Sequence, residues 1–141
     1  MVSKVALDSN VLIYFLEDIE PYASKVEDLF NSFMKREEIG IISTISIAEI
    51  LTGFYASRDE GRSLNAKKFL EDLTHDGFEV AQLTFEIADL AAQLKAKRGG
   101  KLPDALIVAT AIKEGAQAIY SQDEDLMRFN RDINVIKLDS S

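Results

Sequence analysis

Four acids lie far apart along the chain: Asp8, Glu49, Asp104 and Asp123. Asp8 ends the apolar run of "VALDSNVLI", and Glu49 sits in "ISIAEIL". Asp104 follows the proline of "LPDALIVATA", and Asp123 opens the acidic half of "SQDEDL". Two carboxylates about 4 Å apart repel by roughly 4 kcal/mol at an effective dielectric of about 20. Four brought together would need protons or divalent cations among them. An all-oxygen ligand set favours Mg²⁺ or Mn²⁺ over zinc. Such ions suit phosphate substrates, where metal orients a water and stabilises the leaving oxygen. Thiolate and imidazole chemistry has little to draw on. The chain has no cysteine, and its one histidine, His75, lies in the turn-like "THDG", where exposure is expected.

The acids act together only if the fold gathers them. Lys4–Leu7 reads as a strand, and Val11–Leu16 as a buried first helix. Tyr22–Lys35 has helical spacing through Val26, Leu29, Phe30 and Phe33, and Ile39–Ser43 is a β-branched second strand. Helices are expected over Ser46–Phe54 and over Leu64–Leu73, the latter with Ala66, Phe69, Leu70 and Leu73 on one face. A third strand is expected at Phe78–Ala81 and another helix at Glu86–Lys97. Pro103–Lys113 starts with proline at a first helical position and is apolar nearly all round, which predicts a buried helix ended by Gly115. Ala118–Tyr120 and Val135–Leu138 complete five strands, with a short segment at Leu126–Phe129. Alternating strands and helices imply a mostly parallel sheet covered on both faces.

Ligands of such sheets sit beyond the carboxyl ends of the strands. Asp8 follows the first strand and Asp123 the fourth. Glu49 lies near the start of the helix leaving the second. Asp104 opens a helix that runs antiparallel to the fourth strand, so it starts where that strand ends. All four belong to one rim. Each has an ordinary alternative: Asp8 as a helix cap, Ser46-x-x-Glu49 as a capping box, Asp104 as a complement to its helix dipole, and Asp123, Glu124 and Asp125 as a solvated turn. Singly these alternatives compete well; the shared rim favours a site.

Composition sets the bounds. The 141 residues are expected to form one domain spanning 1–141, and chains of this size bury roughly 68–70% of their unfolded surface. Hydrophobic content of 47% and charged content of 28% are ordinary for a globular protein. No signal peptide or spanning segment is evident, and the lack of cysteine fits a cytoplasmic location. A net charge of −8 argues against broad attraction to nucleic acid. One segment runs the other way: "LKAKRGGKLPD" places Lys95, Lys97, Arg98 and Lys101 just before Asp104 with no acid between. It reads either as a loop holding RNA phosphate beside the acids or as a helix end whose cations complement the dipole.

"LDSNVLIYFL", "ISIAEIL", "LPDALIVATA" and "SQDEDL" together resemble the four acidic motifs of the PIN-domain family, most of all its compact VapC-type ribonuclease toxins. The likeness runs from Asp8 to Leu126 with order and spacing preserved; each motif alone is degenerate. It implies a three-layer α/β/α sandwich with a parallel sheet of about five strands, order 3-2-1-4-5. It places the metal-site acids on Asp8, Glu49, Asp104 and Asp123. Asn10 matches a supporting polar position, Ser121 a hydroxyl position where threonine is usual, and Asp125 a further acid that binds metal or supports its loop. Leu126 stands where the family more often has phenylalanine. The activity implied is hydrolysis of RNA by Mg²⁺- or Mn²⁺-activated water. The partners implied are an RNA substrate, a small antitoxin and a second copy of the chain. Tyr14, Phe15, Phe30, Phe33, Phe54 and Tyr55 offer apolar surface for such contacts, or simply core. Two rivals differ in class. A haloacid-dehalogenase-like phosphatase would use Asp8 as nucleophile, but it wants an aspartate where Asn10 stands and a lysine nearer the last acids than Lys113. A non-catalytic PIN-like module would bind RNA or protein without turnover.

Overall fold

The computed structural model describes residues 2–139. Five parallel strands form one sheet: β1 (Ser3–Leu7), β2 (Glu38–Ser43), β3 (Phe78–Ala81), β4 (Ala118–Tyr120) and β5 (Asn134–Ile136), in the order β3-β2-β1-β4-β5. The order is the one the resemblance implies. In register, Val5 faces Gly40 on one side and Ala118 on the other, so β1 is central and shielded by both neighbours.

Six α-helices connect and cover the strands: α1 (Ser9–Leu16), α2 (Tyr22–Met34), α3 (Thr44–Ala56), α4 (Glu60–Glu71), α5 (Phe85–Arg98) and α6 (Leu102–Lys113). Short 3-10 turns run over Leu73–Asp76 and Glu124–Phe129. The pleat divides the core in two. Ala6, Ile41 and Ile119 point to the face covered by α5 and α6, packing with Ala91, Leu94, Ala105, Val108 and Ala109. Val5, Leu7 and Ile42 point to the other face, with Val11, Leu12, Phe30, Phe33, Ile50 and Leu70. Successive strand residues therefore feed opposite layers, giving the α/β/α sandwich. Gly40 permits the close approach of α2: a Cβ there would lie 2.7 Å from the Phe33 ring.

Several local expectations shift. Helix α1 is fully buried only at Val11 and Leu12; Ile13 to Leu16 are half-buried. Helix α4 starts at Glu60 because Asp59 caps it, accepting from the Arg62 N–H at 3.1 Å. The capping box is not formed. Helix α3 starts at Thr44 with Ser43 as cap, its Oγ accepting from the Ile45 N–H at 3.0 Å. Ser46 lies inside the helix, buried, with no hydrogen-bond partner for its Oγ. Of the six singled-out aromatics, Phe30, Phe33 and Phe54 are core, Tyr14 and Phe15 are half-buried, and Tyr55 is exposed. His75 is exposed, as expected. Among the described residues, no helix is long and apolar enough to cross a membrane.

Candidate active site

Asp8 is the junction between β1 and α1. Its backbone N–H extends the ladder to the Tyr120 carbonyl at 3.0 Å, and its carboxylate caps α1, Oδ1 accepting from the Ser9 N–H at 2.8 Å. The cap reading and the site reading both describe the same side chain. Its other oxygen, Oδ2, accepts from Ser121 Oγ at 2.7 Å and from Asn10 Nδ2 at 3.3 Å. Asp8 is only 3% exposed. Burial raises its pKa, the Asp123 charge adds to this, and the hydrogen bonds from Ser121 and Ser9 oppose it.

Ser121 joins the first acid to the last. Fully buried at the end of β4, its hydroxyl donates to Asp8, accepts from the Asp123 N–H at 3.0 Å and lies 3.3 Å from Asn10 Nδ2. Those contacts use the one donor and both lone pairs of a hydroxyl. Asn10 closes the frame, its Oδ1 accepting from the Gln122 N–H at 3.3 Å. Two positions named from the resemblance thus tie the ends of β1 and β4 together. Asp123 caps the following 3-10 turn, accepting from the Asp125 N–H at 2.9 Å.

Asp104 arrives from the opposite side, in the first turn of α6 behind Pro103. One carboxylate oxygen each from Asp104, Asp123 and Asp125 lies within 4.8 Å of the others. Glu49 is exposed on α3 and reaches the group through Ser9, whose Oγ lies 3.1 Å from Glu49 Oε1 and 3.4 Å from Asp8 Oδ1. Among the described residues, Asp8, Glu49, Asp104 and Asp123 have no ion-pair partner. Asp104 bears the strain of that arrangement. Burial first, then the charges of Asp123, Asp8 and Glu49, push its pKa up to about 6, with Lys101 opposing. Glu49 is raised as well, by desolvation of its inner side and then by Asp8 and Asp123, less the effects of Ser9 and Lys101. An all-oxygen cluster carrying unneutralised charge fits a divalent cation, and Asp104, Asp123 and Asp125 are spaced to hold one.

The basic segment divides. Arg98 forms a bidentate pair with Asp132, at 3.0 and 3.2 Å, and Lys95 Nζ donates to the Gly100 carbonyl at 2.7 Å. Both are committed to the structure. Lys97 and Lys101 are exposed, and Lys101 is close enough to Glu49 and Asp104 to affect their titration.

Two contributors carry weak or no sequence signals. Ser9 is adjacent to an expected cap, a weak hint. Arg128 is read only from the fold. Its Nε donates to the Asp125 carbonyl at 3.0 Å and Nη1 to the Arg98 carbonyl at 3.2 Å, while its side chain lies over Gly100. Gly100 has φ +83°, and a Cβ there would meet Arg128 Cδ at 2.8 Å. Arg128 thereby holds the loop leading to Lys101 and Asp104 against the turn carrying Asp123 and Asp125.

Residues 5–132 match the family model described as PIN domain. The chain belongs to the PIN domain family. No curated protein matches it in sequence. Among solved structures, a chain of VapBC-1 from nontypeable Haemophilus influenzae is similar to this PIN domain at 18% identity and TM-score 0.73, covering 97% of this chain and 99% of that one. VapBC2 from Rickettsia felis, bound to a DNA fragment from its promoter, gives 16% identity and TM-score 0.72 over 95% and 98%. Mycobacterium tuberculosis VapC20, described as a Sarcin-Ricin loop cleaving toxin, gives 16% and 0.68 over 87% and 92%. At these identities the likeness is one of fold.

Proposed function

We propose that this PIN domain is a metal-dependent ribonuclease acting as the toxin of a toxin–antitoxin pair, a cytoplasmic protein that works as a homodimer. The observation that carries the reading is the convergence of Asp104, Asp123 and Asp125 oxygens within 4.8 Å at the carboxyl edge of the sheet, beside Asp8 and Glu49. Asp8, Glu49, Asp104 and Asp123 would hold Mg²⁺ or Mn²⁺, with Asp125 as a further ligand. The ion would supply charge to orient and activate water against a phosphodiester. Asn10, Ser9 and Ser121 fix the carboxylates by donating to them, so that the site is arranged before ion or substrate arrives. Lys97 and Lys101 would take RNA phosphate at the entrance. Toxin function and an antitoxin partner are supported by fold likeness to VapBC chains, which is analogy.

The test is cleavage of a mixed RNA panel by the purified protein with Mg²⁺, Mn²⁺ or EDTA, alongside Asp8→Asn. Asparagine still caps a helix, so the variant should fold, as circular dichroism would verify. Metal-dependent cleavage that falls by at least about 100-fold in the variant is expected for a lost metal-site acid. Absence of cleavage in every condition by folded, inhibitor-free protein would refute the ribonuclease and favour a binding module.

A further inference from the structure

Tyr14 and Tyr22 pack at the edge of the core that holds Phe30, Phe33 and Phe78, but their ring stacking is with each other. Phe15, Phe30, Phe33, Phe69 and Phe78 pack among themselves, from tilted and stacked to edge-on. Among the described residues, the two tyrosines stack on each other and on none of those rings: their centroids are 4.7 Å apart with 29° between planes. Both are half-buried. Each ring packs against its partner and against the core, and part of each stays open to solvent.

Their place matters more than their packing. Tyr14 follows Asn10 by four residues on α1, so the two share a face one turn apart. Asn10 is the residue whose amide meets both Asp8 and Ser121 at 3.3 Å. Tyr14 therefore continues the acid site along α1, and Tyr22 stacks on it. The charges of Tyr22, Asp123 and Asp8 add to burial in raising the Tyr14 pKa, which independently sets its phenol within electrostatic reach of the acids. A neutral, stacked, half-open aromatic surface beside a phosphate-directed site suits a nucleobase. Proteins that grip single strands without reading sequence combine cationic contacts with aromatic faces on which bases stack.

We infer that Tyr14 and Tyr22 form a stacking platform for one base of a single-stranded RNA whose phosphate lies at the acid cluster. The inference rests on the ribonuclease reading and adds to it a contact with the substrate: one nucleotide next to the cleaved bond, held by its ring rather than by its sequence.

The test pairs changes in protein and RNA. Single-stranded oligoribonucleotides carry an abasic site at each position flanking the cleaved bond, and kcat/KM is measured for the parent, Tyr22→Leu and Tyr22→Phe. Leucine retains apolar bulk without a ring, and phenylalanine retains the ring. At one position the abasic substrate should be cut roughly 5- to 150-fold less efficiently by the parent, the range for one lost stack. That penalty should vanish in Tyr22→Leu and persist in Tyr22→Phe. The salt dependence of cleavage should be the same in all three, since stacking neutralises no phosphate. A 2-aminopurine at the same position gives a second reading, quenched on binding by the parent and by Tyr22→Phe but not by Tyr22→Leu. Robust cleavage with no abasic penalty at any position, or with an equal penalty in parent and Tyr22→Leu, would overturn the platform and leave the ribonuclease standing. No metal-dependent cleavage of any RNA would overturn both.

Discussion

Replacing Asp104 by asparagine should stabilise the metal-free protein at neutral pH while removing its response to metal. Asp104 is 9% exposed, and its pKa rises from 3.8 to about 6, chiefly by burial and then by the neighbouring acids. The sign follows from linkage. Below about pH 4 the carboxyl is protonated in both folded and unfolded chains and contributes nothing. Between that point and about pH 6 the unfolded chain releases its proton while the folded chain keeps it, so stability falls as pH rises. Above about pH 6 the whole cost is present. Two units would correspond to about 3 kcal/mol, and solvent at the open mouth of the site reduces this to roughly 1–3 kcal/mol. For a chain of this length each kcal/mol moves the melting temperature by about 2–4 °C.

In EDTA at pH 7.5, Asp104→Asn should therefore melt roughly 3–10 °C above the parent, and the gap should close as the buffer is taken toward pH 4. Saturating Mn²⁺ should raise the parent and move the variant much less. Thermal melts followed by circular dichroism, in matched buffers from pH 4 to 7.5, are sufficient. Equal melting temperatures at pH 7.5, or a gap of the same size at pH 4, would refute the argument that charge crowding at Asp104 opposes folding.

Other substitutions probe the frame around the acids. Ser121→Ala removes the hydroxyl shared by Asp8 and Asp123; calorimetric titration should show Mn²⁺ affinity down by about 10- to 100-fold. Gly100→Ala drives a Cβ into Arg128 at positive φ and should cost roughly 1–3 kcal/mol in urea unfolding. Adding Arg128→Ala should recover part of that loss, since the two share one contact. Lys101→Gln should lower cleavage at low salt and flatten its salt slope by about one unit, whereas Arg98→Gln should lower stability instead, because its guanidinium is already held by Asp132. Ser46→Ala deletes a buried, unpartnered hydroxyl and should leave urea stability unchanged or raise it by up to about 1 kcal/mol.

The parts legible in the sequence were those that follow from direction. A parallel sheet fixes which strand ends share an edge, so Asp8 and Asp123 could be assigned to one rim, and Pro103 marked the helix start that carries Asp104 there. Strand order came from family resemblance, because nothing in five short apolar runs says which is central. The capping box failed for a local reason. Ser43, Thr44 and Ser46 all suit a helix start, and the choice is made by the sheet, where Ser43 still pairs with Ala81 and so becomes the cap. The helix at Glu60 was missed in its first turn because Asp59 and Glu60 give no apolar period, only a cap. Arg98 and Lys95 looked like free cations until the fold supplied Asp132, 34 residues from Arg98, and the Gly100 carbonyl. Arg128 is the extreme case: its partners, Asp125 and Arg98, lie 3 and 30 residues away, and no spacing rule connects them.

The energetic position of the cluster bears on how an acidic chain could act on a polyanion. A ligand that binds only the folded state at 100 times its Kd stabilises it by about 2.7 kcal/mol, comparable to the cost argued for Asp104. Metal binding would then offset the charge crowding almost completely. It would also turn an acidic cluster in a chain of net charge −8 into a place that accepts phosphate. Affinity for RNA should accordingly depend on the ion as well as on Lys97 and Lys101: in EDTA the rim repels the strand, and with Mn²⁺ it attracts it. If RNA binding measured by anisotropy were equally strong in EDTA and Mn²⁺, the lysines and aromatic surface alone would hold the strand, and the acids would serve the chemical step without contributing to capture.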